Sequence, residues 1–203
     1  GMNRRGSPVW ARRSRVCITG TSYGRPDLLR PGIRGYGVQM VKKSAAVHTS
    51  ATKVLFQENV PYAIHQYDKH SNAAGPDWGL PPDSFDHPTR VFRTAITIVD
   101  DSPLAALIPI DCVLDEVLVS AAVGGTTAVE TSPQEASDIT GFPEDAISPI
   151  GTKQQLPTLV DVTALDFKTV YISAGEHGFT IELSPTDLLR LTNARTAPIA
   201  RHL

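Results

Sequence analysis

The chain has 203 residues, of which 41% are hydrophobic and 20% charged, with a formal net charge of −2. That length suits one domain of ordinary size plus an extension, and the composition is that of a soluble globular protein. The longest apolar run, 104–110, is far too short to span a bilayer, so no membrane segment is expected. Two cysteines, Cys17 and Cys112, provide no disulfide framework and point to a reducing, cytoplasmic setting.

The small net charge hides an asymmetry. Residues 1–39 hold eight arginines against the single acid Asp27, a net of +7; residues 40–203 then hold 11 basic and 20 acidic residues, a net of −9. Gly1 ahead of Met2 reads as a cloning scar, and the Arg/Gly/Ser/Pro mixture of 1–39 has little hydrophobic periodicity. Residues 1–39 are therefore expected to be a basic, disordered extension, with a compact domain over 40–203. An acidic body is a poor partner for phosphates, so any RNA contact is expected from a local basic patch, the tail or a partner protein.

From Ser44 the pattern turns helical, with Val47, Ala51, Val54 and Leu55 on one face, and Val60-Pro61 ends it. Residues 62–67 alternate as a strand, and the Pro/Gly/Asp-rich stretch 68–87 reads as loop. Residues 91–99 are β-branched and alternating, which places Arg93 on the face opposite Phe92, Thr94, Ile96 and Ile98. Asp100-Asp101 fits a solvated turn before a second strand over 104–110. A helix over 114–123 should close at Gly124, followed by a short strand over 127–130. Ser132-Pro-Gln-Glu135 and Ser184-Pro-Thr-Asp187 both carry a helix-starting pattern, a capping serine followed by proline. Between them, 168–173 and 179–183 read as two strands joined by a Gly-containing hairpin. Without regular βαβ alternation, an α+β domain around a mixed sheet is expected.

Residue spacing supplies no familiar catalytic set. The six histidines lack zinc-site spacing, no Gly-x-Ser-x-Gly elbow occurs, and Gly124-Gly125 is not part of a phosphate-binding loop. Neither a metal nor a cofactor is expected.

Three segments do carry a resemblance: Val91-Phe-Arg-Thr94, Thr140-Gly-Phe-Pro-Glu-Asp-Ala-Ile-Ser-Pro-Ile-Gly151 and Tyr171-Ile-Ser-Ala-Gly-Glu-His-Gly178, the last followed by Leu183-Ser-Pro185. Together with His65-Gln-Tyr67-Asp68, they resemble the motif set of the YbaK family, the aminoacyl-tRNA editing domains related to the insertion domain of bacterial prolyl-tRNA synthetase. The resemblance covers nearly all of 44–198. It implies a single YbaK-like domain with a curved mixed β-sheet or barrel surrounded by helices. The implied activity is a trans-acting deacylase that clears mischarged tRNA, with Cys-tRNA(Pro) or another small amino acid as substrate.

The resemblance further implies catalysis by substrate positioning, without metal or a protein nucleophile. In the cysteine-specific branch the substrate thiol attacks its own ester and leaves as a cyclic thiolactone. Carried over by position, Arg93 takes the place of the family's functional lysine, Tyr67 that of a pocket tyrosine, and Ser173 that of the hairpin serine. Ala146, Ile147, Ser148, Gly151, Gly175 and Thr180 complete the implied substrate-binding set. The implied partners are the tRNA acceptor end and prolyl-tRNA synthetase, and a monomer is expected.

Three departures fall inside this set. Arginine replaces lysine at 93, a planar fork for a compact ammonium. The family's Gly-Gly is Asp145-Ala146, where a required positive φ would strain the alanine. The acid of the cysteine-specific branch is Thr180. These changes point to altered substrate choice or weakened catalysis, and they leave open a module that binds tRNA or a synthetase without turnover.

Overall fold

A computed structural model of the protein describes residues 47–66 and 88–202. The expected extension over 1–39 lies outside the described residues, as does Tyr67. Helix α1 (Ser50–Gln57) starts at Thr49, whose side chain accepts from Thr52 N–H while the Thr52 side chain accepts from Thr49 N–H. This reciprocal capping satisfies two backbone donors that the first helical turn leaves without partners. Ala51 and Leu55, on the inward face of α1, are fully buried.

Strand β1 (Ala63–Gln66) precedes the long hairpin of β2 (Phe92–Val99) and β3 (Ser102–Pro109). Asp100 and Asp101 form its two-residue turn, with φ of 44° and 68°. Successive left-handed residues are what a tight hairpin needs to match strand twist. Asp100 also accepts bonds from the hydroxyl and amide of Thr126 and from the amide and hydroxyl of Thr127; these donors hold its carboxyl at about 2. Then come β4 (Cys112–Leu114), α2 (Glu116–Val123), β5 (Ala128–Glu130) and α3 (Pro133–Thr140). The C-terminal part holds β6 (Thr158–Asp161), β7 (Val170–Ser173), β8 (Phe179–Leu183), α4 (Pro185–Thr192), β9 (Arg195–Ala197) and β10 (Ala200–His202).

The helix signals in the sequence act as expected. Ser132 and Ser184 cap α3 and α4 with proline in the first turn, and Gly124 and Gly141 close α2 and α3 in the left-handed conformation. Helix α2 begins at Glu116, two residues later than its apolar run suggests, because Asp115 accepts from Val117 and Leu118 N–H while Leu114 is drawn into β4.

The strands form three sheets. The largest, in order β5-β2-β3-β6-β9, is antiparallel through β5, β2 and β3 and parallel from β3 to β6 and β9. An antiparallel sheet runs β1-β8-β7, and β10 pairs with β4. The mixed α and β character matches expectation. Of the expected alternatives, a curved mixed sheet or a barrel, no closed barrel is found among the described residues. The reason is visible along β2. Its one edge pairs with β3 throughout, while β5 covers only Thr97, Ile98 and Val99 on the other. Further along that strand, Val91 makes an isolated parallel bridge to Tyr171 of β7.

The sheets are joined by burial and by a polar cluster. Phe92 and Leu107 of the large sheet share a core with Ile172, Ile181 and Leu183 of the small one and with Leu55 of α1. Just before β2, Arg90 donates to Thr169 and to Glu182 Oε1 at 3.2 Å, and its guanidinium lies 4.9 Å from the Tyr171 ring centre. His65 Nε2 lies 2.9 Å from Glu182 Oε2. Burial opposes the charge on Glu182. The Thr169 and His65 hydrogen bonds and the charges of His65 and Arg90 overcome it, leaving the carboxyl below its usual range.

Two predictions follow from packing and charge here. Gly151 has φ of 76°, and a Cβ there would lie 2.6 Å from Ser50 C and 2.8 Å from Ala51 N. Gly124 has the same φ with open space around it. Gly124→Ala should therefore cost about 1 kcal/mol and Gly151→Ala roughly 2–4 kcal/mol in urea unfolding, because only the second adds backbone overlap to the left-handed penalty. A depressed carboxyl stabilises the fold above its ordinary pKa and loses that contribution as pH falls through the lowered value. Glu182→Gln should accordingly lower the melting temperature at neutral pH, with the difference from the parent shrinking at acid pH as the carboxyl protonates through its lowered pKa. An equal loss at both pH values would assign Glu182 a packing role alone.

Candidate active site

A cleft of about 480 Å³ opens where β2 changes partner between β5 and β7. Its walls come from three distant stretches of chain: Arg93 and Thr94 of β2, Asp145 and Ile147 of the 141–152 segment, and Ser173 and Thr180 of the β7–β8 hairpin. Ile96, Ala136 and Ile172 contribute apolar surface.

Strand alternation delivers Arg93 to this place. Thr97 lies opposite Glu130 of β5, and Arg93 shares the Thr97 face four residues back. The Arg93 guanidinium meets the Glu130 carboxylate with both forks, Nη1 to Oε1 at 2.6 Å and Nη2 to Oε2 at 3.3 Å. Both side chains are about one-third exposed, 31% and 35%, so they face the cleft while remaining accessible. Thr94 Oγ1 is buried in the cleft wall without a hydrogen-bond partner in the protein.

The 141–152 segment is an Ω-like loop whose ends meet, with Lys153 N–H donating to Thr140 O at 2.8 Å. From α3, Ser137 Oγ donates to Phe142 O, and inside the loop Ala146 N–H donates to Pro143 O at 3.0 Å. Ile147 reaches the cleft. Ala146 and Ser148 lie beneath the surface, 2% and 0% exposed, and Ser148 Oγ accepts from Ile150 N–H at 3.3 Å. The left-handed non-glycine residues among those described are Asn59, Asp100, Asp101 and Asn193. Ala146 is not one of them, so the strain expected of an alanine at this position does not arise.

Gly151 packs against the start of α1 and borders a different, smaller cavity. Gly175, with φ of 83°, leaves room for the Phe142 ring, where a Cβ would intrude. Its N–H donates to Ser173 Oγ at 3.2 Å, so the hairpin serine braces its own turn while facing the cleft. A second tie joins loop to hairpin, with Asp145 Oδ2 2.6 Å from His177 Nδ1. The Asp145 carboxylate thus has an imidazole partner on the hairpin.

Of the residues singled out in the sequence, Arg93, Ile147, Ser173 and Thr180 come together around one cleft. Ala146, Ser148 and Gly175 lie behind its walls, Gly151 packs against α1 beside a different cavity, and Tyr67 falls outside the described residues. Glu130 and Thr94 escaped sequence reasoning. Glu130 is the last residue of a three-residue strand, and its pairing with Arg93 needs the β2–β5 register. Among the described residues no three His, Cys, Asp or Glu side chains form a group that could hold a metal ion.

Residues 85–191 match the family model of the aminoacyl-tRNA editing domain. The chain is 30% identical over 164 residues to an Enterococcus faecalis protein, EbsC, named as a proposed Cys-tRNA(Pro)/Cys-tRNA(Cys) deacylase, covering 79% of this chain and 98% of that one. Among solved structures, a proposed trans-editing enzyme for prolyl tRNA synthetase superposes with a TM-score of 0.62 at 19% identity, over 77% of this chain and 99% of the other. A hypothetical protein superposes with a TM-score of 0.64 at 18% identity, over 75% and 100%. The match over more than half of the sequence and the near-complete alignment with EbsC place this chain in the aminoacyl-tRNA editing domain family, the YbaK family.

Proposed function

We propose that the protein is a trans-acting aminoacyl-tRNA deacylase, acting on Cys-tRNA(Pro) or on another small amino acid attached to tRNA. The observation that carries this reading is the convergence of Arg93, Ile147, Ser173 and Thr180 on one cleft from segments up to 87 residues apart. The cleft is small and half apolar, which suits a short side chain. Glu144 and Asp145 at its rim suit the α-ammonium of an aminoacyl ester.

In this reading Arg93 donates N–H bonds to the ester carbonyl as negative charge develops on its oxygen. Donors fixed in advance for that charge are among the largest contributions to acyl-transfer catalysis. With a cysteinyl ester, the substrate thiol loses its proton, its sulfur attacks the carbonyl carbon, the bond to the ribose oxygen breaks, and that oxygen takes up the proton the thiol released. The products are a thiolactone and free tRNA. Holding sulfur and carbonyl together supplies the remaining advantage, and no metal or protein nucleophile is called on. Ser173 and Thr180 shape the pocket, with Tyr67 assigned there by sequence. The tRNA acceptor end is the ligand, and prolyl-tRNA synthetase is the candidate partner that would present it to an acidic domain of 40–203.

A second reading, a catalytically weak module that binds tRNA or prolyl-tRNA synthetase, draws support from two features. Arg93 is already engaged by Glu130, and Asp145 adds negative charge at the mouth. Deacylation assays with Cys-, Ala- and Ser-charged tRNA separate the two. The enzyme reading expects turnover of at least one ester and a fall of about 100-fold in kcat for Arg93→Ala, the cost of losing one such donor. Binding of tRNA without turnover of any of the three would establish the module instead.

A further inference from the structure

We propose that Glu130 is the positioning residue for Arg93, so that the two form a matched pair in which the carboxylate fixes the direction of the guanidinium in the cleft. The proposal rests on the deacylase reading and concerns how that site is held. Its first support is geometry: both carboxylate oxygens engage both terminal nitrogens of Arg93, an end-on fork. A fork of this kind fixes the guanidinium plane as well as its position. It uses one N–H on each terminal nitrogen. The Nε–H and the second N–H on each Nη are left for a bound group.

The second support is that Glu130 is anchored on every side. Its backbone is in register with Thr97 of β2, and its N–H donates to Glu116 Oε1 at 2.9 Å. The next residue, Thr131, donates both its N–H and its hydroxyl to Ile96 O, at 2.8 and 3.0 Å. These bonds fix where the carboxylate starts. Arg93 lies four residues along β2 from Thr97, about 13 Å, a span the two long side chains close between them.

The third support is energetic. An ion pair with both members about one-third exposed contributes little to folding stability. Ordering a long arginine side chain costs conformational entropy. A lysine at 93 could not use the fork, since an ammonium presents a point charge and not a plane. The arginine at 93 and the glutamate at 130 therefore make sense together: the carboxylate orders the long, planar cation.

The test compares kcat and KM on charged tRNA for the parent, Glu130→Gln, Glu130→Asp, Arg93→Lys and the Arg93→Lys/Glu130→Gln double variant, with ¹⁵N NMR of the Arg93 guanidinium. Glu130→Gln should lower kcat about 10-fold while KM stays within about 2-fold, the mark of an interaction felt in the transition state. Glu130→Asp, which keeps the charge, should recover part of the loss. In the Arg93→Lys background the same Gln substitution should change kcat by less than about 2-fold, giving strong coupling in the cycle. Restricted rotation of the Arg93 Nη groups should be present in the parent and lost in Glu130→Gln, with melting temperatures unchanged. Unaltered kcat in Glu130→Gln, an increase in kcat that would make the carboxylate a brake, or additive effects in the cycle each overturn the proposal and leave the deacylase reading intact. No turnover by the parent on any charged tRNA removes that reading, and this proposal with it.

Discussion

Strand β2 changes partner along one edge, and the site follows from that change. Its inner edge is held by β3 from Phe92 to Val99, so the strand cannot slide. The outer edge is taken by β5 at Thr97, Ile98 and Val99, and at Val91 it meets β7. Between those contacts no third strand fills the space among the described residues, and the cleft lies there. A sheet edge normally invites pairing with another chain. Here the 141–152 loop and the β7–β8 hairpin stand over it, turning an open edge into a walled pocket. Had β5 extended four more residues in the same register, it would have covered the backbone beside Arg93.

The loop and hairpin are built as one unit. Phe142 fills the space left by the missing side chain of Gly175, Asp145 reaches His177, and Gly151 admits the first turn of α1. The glycines thus position walls, while Ile147, Ser173 and Thr180 present surface. Asp145 and Ala146 have different roles in this loop. Ala146 occupies ordinary backbone and is buried, whereas Asp145 changes the charge at the mouth and ties the loop to the hairpin.

Charge has a similar local logic. The sequence from 40 to 203 carries a net of −9, yet the cleft keeps the Arg93 cation and gives it a fixed carboxylate partner. A separate cluster of Arg90, His65, Thr169 and Glu182 binds the small sheet to the chain entering β2. Both clusters place an arginine against a glutamate, but the first faces the cleft and the second stitches two sheets together.

Much of the local structure is legible in the sequence because it is set by nearest neighbours. Ser-Pro starts, left-handed glycine ends, the β2–β3 hairpin and the β7–β8 hairpin depend on a few adjacent residues, and they fold as their patterns indicate. The family is legible for the same reason, since its motifs are mostly turn and loop geometry. Strand β6 has four buried residues and no alternation, so its central place was invisible until β3 and β9 paired with it. The absence of a closed barrel, the separation of Ile147 and Ser173 at the cleft from Ser148 and Gly151 behind it, and the Arg93–Glu130 fork all depend on pairings between residues far apart in the chain. The sequence by itself determined the helix starts and ends, the two hairpins, the family and the cation at 93. Only the tertiary structure decided what that cation faces, because strand register is a long-range property that neighbouring residues cannot encode.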